Sequence, residues 1–354
     1  MTAFLKILRP GLMTSVQDLG RSGYQSLGIG SSGALDPVAL RAANLLVGNN
    51  PGEGALEVLY LGPAIEIEAQ SVRLSFVGAR TTIEILPNIE AKIGSCIEGQ
   101  RSVLVKRGEI VKIRSIVGGA SLYVGIEGGL NIDPAFGSVS TNIRAATGGW
   151  RARALMEGDQ LPLRRPQALD RGECRLDGIT FFPSARIRVI PGPQLHYFEE
   201  AEIAWFFDSE FTVGTSDRVG MRLRGQRPLQ HAKGFDIASD AIAPGSIQVP
   251  GDGQPIVLMA DRHTTGGYPK IATVISADLP ALGRLCIGSK IRFESVTVAQ
   301  AHALRREMLS FLEDIPNYIV PISRLSAPFA PRLFDYNLIS GVVDARTGLA
   351  NPEE

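Results

Sequence analysis

The chain has little of what disulfides, metals and nucleic acids require. Its three cysteines, Cys96, Cys174 and Cys286, are far apart and odd in number, which argues against a disulfide framework. The four histidines show no paired ligand spacing, so no metal site is expected. Lys plus Arg number 36 and Asp plus Glu also 36, which leaves no electrostatic footprint for nucleic acid or an anionic membrane. No apolar run reaches the roughly 18 residues that suggest a membrane span. The segment after Met1 lacks a signal-peptide pattern, so the cytoplasm is the expected location. Catalytic signatures are scarce too. There is no Gly-x-Ser-x-Gly elbow and no Cys/His pair to nominate. Residues 283–290 miss a Walker A loop because Ser289 precedes Lys290.

What is present is 39 glycines and 22 prolines, about a sixth of the 354 residues. That proportion suits many short strands joined by tight turns. A hydrophobic content of 44% and a charged content of 20% are those of a soluble globular protein. The length allows one large or two moderate domains. A mean hydropathy of +0.09 on a neutral chain leans towards burial in an oligomer.

The patterning predicts strands at 4–8, 64–68, 72–77, 109–113 and 122–126, with turns at 117–119 and 127–129. A helix is predicted after Asp36 as N-cap and Pro37 at its first position, with Leu40, Ala43, Asn44 and Val47 on one face and Gly48 at its end. It reads as a well-capped helix plugging a barrel end, or as an N-terminus offered to an anion. Residues 28–33 satisfy Gly-x-Gly-x-x-Gly, but no apolar strand precedes them and no βαβ unit follows, so a dinucleotide site is not implied. A long helix at 298–314 presents Ala301, Leu304, Met308 and Phe311, with His302 on its surface. Beyond 315 the chain is Pro-rich and carries Tyr318, Phe329, Phe334 and Tyr336. So aromatic a tail is expected to dock on this chain or a partner.

Polar residues concentrate in two places. The first is 248–270. There an apolar strand, 256–260, ends in Asp261, Arg262, His263, Thr264, Thr265, Gly266, Gly267 and Tyr268. Polar groups after a buried strand need partners. Asp261 could pair with Arg262, and the guanidinium could clamp a carboxylate or phosphate. The two glycines would let a ligand approach the backbone. The second is 137–149, with Ser138, Ser140, Thr141 and Arg144 before Gly148 and Gly149. A third turn holds Asp217 and Arg218, which read as a surface ion pair. Both halves carry a hydroxyl-rich loop with a glycine pair, as after a duplication.

The run 248–269 (Gln-Val-Pro-Gly-Asp-Gly-Gln-Pro-Ile-Val-Leu-Met-Ala-Asp-Arg-His-Thr-Thr-Gly-Gly-Tyr-Pro) resembles the signature of the allophanate hydrolase subunit 2 family. That family includes the C component of 5-oxoprolinase and the second half of the urea carboxylase carboxyltransferase domain. Ser-Gly-Ala-Leu-Asp-Pro at 32–37, Ala-Asn-Leu-Leu-Val-Gly-Asn at 43–49, Gly-Ala-Leu-Glu at 54–57, and the blocks at 153–159, 187–194 and 214–223 extend the resemblance over roughly residues 8 to 300. The chain departs from the pattern at Gly251 (for Pro), His263 (for Gln) and Val139 (for Arg).

The resemblance implies a mainly β fold with a few helices, arranged as two cyclophilin-like β-barrel halves. The first half is 1–165 and the second 186–297, joined by a connector at 166–185 and followed by the C-terminal helix and tail at 298–354. It implies a component of an ATP-dependent 5-oxoprolinase, inactive alone, working with subunits A and B in a hetero-oligomer on a small-molecule substrate. A second implied activity is carboxyl transfer from carboxybiotin, on a separate carrier, to urea or a related amide. A third is a non-enzymatic antagonist of a kinase inhibitor. The expected catalytic residues are Asp261, Arg262, Thr264 and Thr265. The expected binding residues are Ser138, Ser140, Thr141, Arg144, Asp217, Arg218, Gln248, Asp252, Gly266, Gly267 and Tyr268. In that site Arg262 or Arg144 anchors an anion, the two threonines donate hydrogen bonds, and Asp261 orients Arg262.

Overall fold

The computed structural model describes residues 3–322, and among them strands dominate. The first half supplies β1 (Phe4–Arg9), β2 (Met13–Gln17), β3 (Ala55–Leu59), β4 (Ala64–Ile67), β5 (Ser71–Arg80), β6 (Thr82–Leu86), β7 (Ser95–Glu98), β8 (Arg101–Lys106), β9 (Ile110–Ile113), β10 (Val117–Ile126) and β11 (Gln160–Pro162), and the connector at 166–185 adds β12 (Cys174–Leu176). One sheet runs β11-β1-β4-β9-β6-β7, and another contains β2-β3-β10-β5-β8-β12. Alternation decides what lies between them. Leu5, Ile7, Ile65, Ile67, Val111 and Ile113 from the first sheet meet Val16, Leu56, Val58, Leu74, Phe76 and Val124 from the second in one core. Each such side chain, fully buried, contributes about 1.5–3 kcal/mol.

The second sheet is covered on its other face by helix α1 (Pro37–Leu46). Its apolar stripe, Val38, Leu40, Ala42, Ala43 and Leu46, packs on Val77 and Tyr123. Burial on both faces explains why 122–126 is apolar without interruption. Gly125 is needed at the contact, because a Cβ there would lie 2.5 Å from the Ala43 carbonyl oxygen. The predicted face is correct, since Leu40, Ala43, Asn44 and Val47 are all buried. Asp36 caps the helix by accepting from the N–H groups of Val38 and Ala39. Those donors are therefore spent, and the anion-binding reading of this N-terminus is withdrawn. The turn expected at 117–119 is also corrected. These residues open β10, whose register against β5 shifts between Val117 and Leu122, with Gly118 at φ +74°. The glycines form a bulged strand instead of a chain reversal.

The second half closes into a seven-stranded barrel. Its strands are β13 (Arg186–Pro191), β14 (Phe211–Ser216), β15 (Gly220–Arg224), β17 (Ser246–Gln248), β18 (Ile256–Leu258), β20 (Lys270–Val274) and β21 (Lys290–Ser295), ordered β13-β20-β17-β18-β15-β14-β21. Parallel pairing of β13 with β21 completes the ring. A two-stranded ribbon, β16 (Asp240–Ala241) with β19 (Thr265–Gly266), stands outside it. Helix α2 (Glu200–Asp208) places Phe206 against Phe293, stacked with centroids 4.9 Å apart. Helix α3 (Leu279–Arg284) adds Leu282 to the barrel core, which Leu35 and Leu59 of the first half also enter. Helix α4 (Val298–Asp314) has the predicted bounds, and Thr297 and Gln300 form its capping box. His302 is exposed on it. The aromatic tail expected to dock, with Phe329, Phe334 and Tyr336, lies outside the described residues.

Candidate active site

A strand of five buried residues, β3, contains one acid, Glu57. A carboxylate in such a place needs partners, and it finds them in both halves. Arg218 Nη1 donates to Glu57 Oε1. Glu57 Oε2 accepts from the Leu35 N–H at 2.8 Å and the Tyr123 hydroxyl at 2.6 Å. Arg218 also makes a two-pronged pair with Asp261, at 2.8 and 3.1 Å, and donates to the Gly33 carbonyl at 2.6 Å. Burial works against the Arg218 charge, yet Glu57 and Asp261 raise its pKa above the usual arginine value. The Tyr123 phenol is driven well up by burial and by Glu57 and Asp36. Beside this network Arg284 pairs with Asp36 at 2.6 Å, a second bond between the halves.

Two expectations change here. Arg218 is a buried hub and not half of a surface pair. Its neighbour Asp217 is exposed and only caps its own turn through the N–H groups of Val219 and Gly220. Asp261 therefore orients Arg218 and not Arg262. A turn at Ala260–Asp261, closed by the Arg262 N–H on the Met259 carbonyl at 3.3 Å, sends the adjacent side chains into different surroundings.

Arg262 is 3% exposed, and among the described residues no carboxylate forms an ion pair with it. Its Nε donates to the Ile242 carbonyl at 3.2 Å, and Nη1 reaches Ser31 Oγ at 3.3 Å and the Met259 carbonyl at 3.5 Å. Burial pushes its pKa down to about 10, with Asp261 partly opposing. It stays protonated at neutral pH, a buried cation held by neutral acceptors.

The two polar loops do meet. Arg144 Nη1 lies 3.4 Å from His263 Nε2 on the exposed side. Gly30 fits between them, since a Cβ there would be 3.4 Å from Asn142 Nδ2 and 3.5 Å from the Arg262 carbonyl. The hydroxyls of the first loop, however, point inward. Ser138 and Ser140 both donate to Asp18 Oδ1, the Val139 N–H donates to Asp18 Oδ2, and Thr141 bonds the Val16 carbonyl. Buried Arg21 donates to the Ser140 and Ala135 carbonyls. These contacts lock the loop to β2, and Arg144 is the exposed cation of that loop.

At the barrel mouth, Lys270 is buried and its Nζ donates to Asp240 Oδ2 at 2.7 Å and to the Ala241 carbonyl at 3.1 Å. The Lys270 ammonium is the leading reason the Asp240 carboxyl sits below its ordinary pKa. Gln248 is paired with Lys270 in register, and its Nε2 is buried with no hydrogen-bond partner. A Cβ on Gly266 would come 2.7 Å from that nitrogen. Thr265 and Gly266 hold β19 against β16, while Thr264 accepts the Ile242 N–H through its carbonyl. Gly267 accepts the Ile237 N–H, and Tyr268 is exposed at the rim. Asp252 caps its own hairpin at the Gln254 N–H and lies 3.9 Å from Arg222. Among the described residues no His, Cys, Asp and Glu gather to hold a metal ion.

The profile of the carboxyltransferase domain, subdomains A and B, matches residues 27–295. The chain belongs to this carboxyltransferase family. It is 35% identical to the C component of the Escherichia coli 5-oxoprolinase over 88% of this chain and 97% of that protein. It is 37% identical to the corresponding 5-oxoprolinase component of Haemophilus influenzae over 85% and 94%. The crystal structure of the K. lactis urea amidolyase superposes with a TM-score of 0.78 at 26% identity, covering 90% of this chain and 21% of that much longer one. In this member of the family, residues of both halves meet around Arg218 and Arg262.

Sequence reasoning missed Glu57, Lys270, Asp240, Asp18 and Arg21. A signal existed for Glu57, the single charge in an otherwise apolar strand. Lys270 offered a weaker one, as a cation opening a strand that continues Ile-Ala-Thr-Val. Asp240 sits in a two-residue strand, too short for periodicity to mark.

Proposed function

We propose that the chain is the C component of an ATP-dependent 5-oxoprolinase, acting with subunits A and B to open 5-oxoproline to glutamate. The observation that carries this reading is the match to two proteins named as that 5-oxoprolinase component, across 97% and 94% of their lengths. The site supports it chemically. The substrate is a small ring amide bearing one carboxylate. Arg262, protonated and without an acidic partner, is suited to that carboxylate. The Gln248 amide and the Lys270 ammonium are donors suited to the oxygen that gains charge when water attacks the ring carbonyl. The glycines at 28–33 lead to a helix whose first donors are satisfied by Asp36, so ATP is used by the complex without a step assigned to this chain.

The test is glutamate release from 5-oxoproline by the complex purified with subunits A and B, with each component omitted in turn. Activity that requires all three supports the reading. Activity without this chain would sink it. A second reading draws on the likeness to the K. lactis urea amidolyase. There the chain would be a carboxyltransferase moving carboxyl from carboxybiotin, carried on a separate protein, to urea or a related amide. Carboxylation that avidin blocks would replace the first reading with this one.

A further inference from the structure

A cavity of about 170 Å³ lies at the seam between the halves, apart from the exposed loop surface of Arg144 and His263. The first half supplies Ser31, Ser32, Ala34, Leu35 and Pro37, and the second supplies Leu258, Met259, Arg262, Leu279 and Leu282 among others. The walls are mainly aliphatic, and Arg262 is their one charged residue. A cavity of about 150 Å³ holds a benzene ring, so this one has room for a five- or six-membered ring. The Ser32 hydroxyl is buried without a partner, in a residue held at φ +51°. The cavity thus holds one unpartnered hydroxyl and, in Arg262, a buried cation with no acidic partner. Native structures seldom leave buried polar groups in that state, and strained backbone of this kind concentrates at functional sites.

We propose that this seam cavity binds a small cyclic monocarboxylic acid, its ring against Leu35, Met259, Leu279 and Leu282, its carboxylate on Arg262 and one ring polar group on Ser32. The inference deepens the 5-oxoprolinase reading and rests on it for the natural ligand, but the chemistry of the cavity stands independently. A planar guanidinium suits either a carboxylate or a phosphate. The aliphatic walls choose between them, since they reward an apolar ring and give nothing to a naked oxyanion.

The experiment is calorimetric titration of the full chain with 5-oxoproline, cyclopentanecarboxylate, 2-pyrrolidinone and inorganic phosphate. The two carboxylates should bind, and 2-pyrrolidinone, which lacks the charge, should bind roughly 10- to 100-fold more weakly. Arg262→Met should weaken carboxylate binding by a similar factor. Ala34→Phe, which fills the cavity from a half-buried position, should abolish it, and this variant serves if the arginine variant fails to fold. Equal binding of 2-pyrrolidinone, phosphate binding as tight as cyclopentanecarboxylate, or wild-type binding by Ala34→Phe would overturn the proposal. The two readings fail separately. Arg262-dependent binding of cyclopentanecarboxylate with no glutamate release by the complex removes the 5-oxoprolinase reading alone. Glutamate release by the complex with no binding in the cavity removes this inference alone.

Discussion

Arg218 and Asp261, 43 positions apart, share two hydrogen bonds at 2.8 and 3.1 Å with both side chains 3% exposed. The same guanidinium reaches Glu57 of the other half, whose side chain is 1% exposed. Two carboxylates and one arginine are thus removed from water together at the joint between the sheets and the barrel. A buried ionic group of this kind adds little net stability over an apolar one of equal shape, but removing one member strands the others.

Arg218→Met should therefore cost on the order of 3–5 kcal/mol, because it leaves two buried carboxylates facing each other. The triple variant Arg218→Met, Glu57→Gln, Asp261→Asn should melt above the single variant, since no charge remains buried. Thermal melts of both, with soluble yield, check this. A single variant as stable as the parent would mean that water reaches the cluster.

Arg262 makes no comparable pair, so its replacement has a different signature. Arg262→Lys keeps a positive charge but loses the planar fork that matches a carboxylate. Turnover of 5-oxoproline by the assembled complex should fall on the order of 100-fold, with the melting temperature of this chain nearly unchanged. A variant with parental turnover would take Arg262 out of the site.

Gln248 offers a test in which stability and activity should part. Its Nε2 is buried with no partner, so the fold already bears an unsatisfied amide. Gln248→Met, apolar and of similar length, should leave stability unchanged or raise it by up to ~1 kcal/mol, while turnover falls by roughly tenfold or more. Chemical denaturation and glutamate release, measured on the same preparation, separate the two. A loss of stability with full turnover would make Gln248 a structural residue.

The elements were legible where a period or a cap wrote them. Asp36-Pro37 and the stripe behind them located α1, and the face of Ala301, Leu304, Met308 and Phe311 located α4. The site was legible only as two polar loops. Which acid pairs with which arginine depends on chain reversals of one or two residues, and these turn Asp261 towards Arg218 and Arg262 towards Ser31. The hydroxyls of Ser138 and Ser140 looked available because Asp18, their acceptor, is about 120 residues away in sequence. Gly118 and Gly119 read as a turn because a bulge and a reversal use the same residue type.

The pH dependence of stability should show the bond that secures the end of the first half. Asp159 is 5% exposed, and burial alone would raise its pKa. The paired bonds from Arg153 at 2.7 and 2.8 Å, the Met156 N–H and the arginine charge outweigh that and hold the carboxyl at about 2. A carboxyl depressed in the folded state stabilises above its unfolded value of 3.8, and that stabilisation is lost as pH falls towards the folded value. The gap corresponds to about 2 kcal/mol at neutral pH. Asp159→Asn should lower stability by roughly that amount at pH 7, and the difference from the parent should shrink steadily between pH 4 and about pH 2. Urea midpoints of parent and variant across this range decide it. A difference that stays constant with pH would show that the asparagine loses shape and hydrogen bonds and not charge.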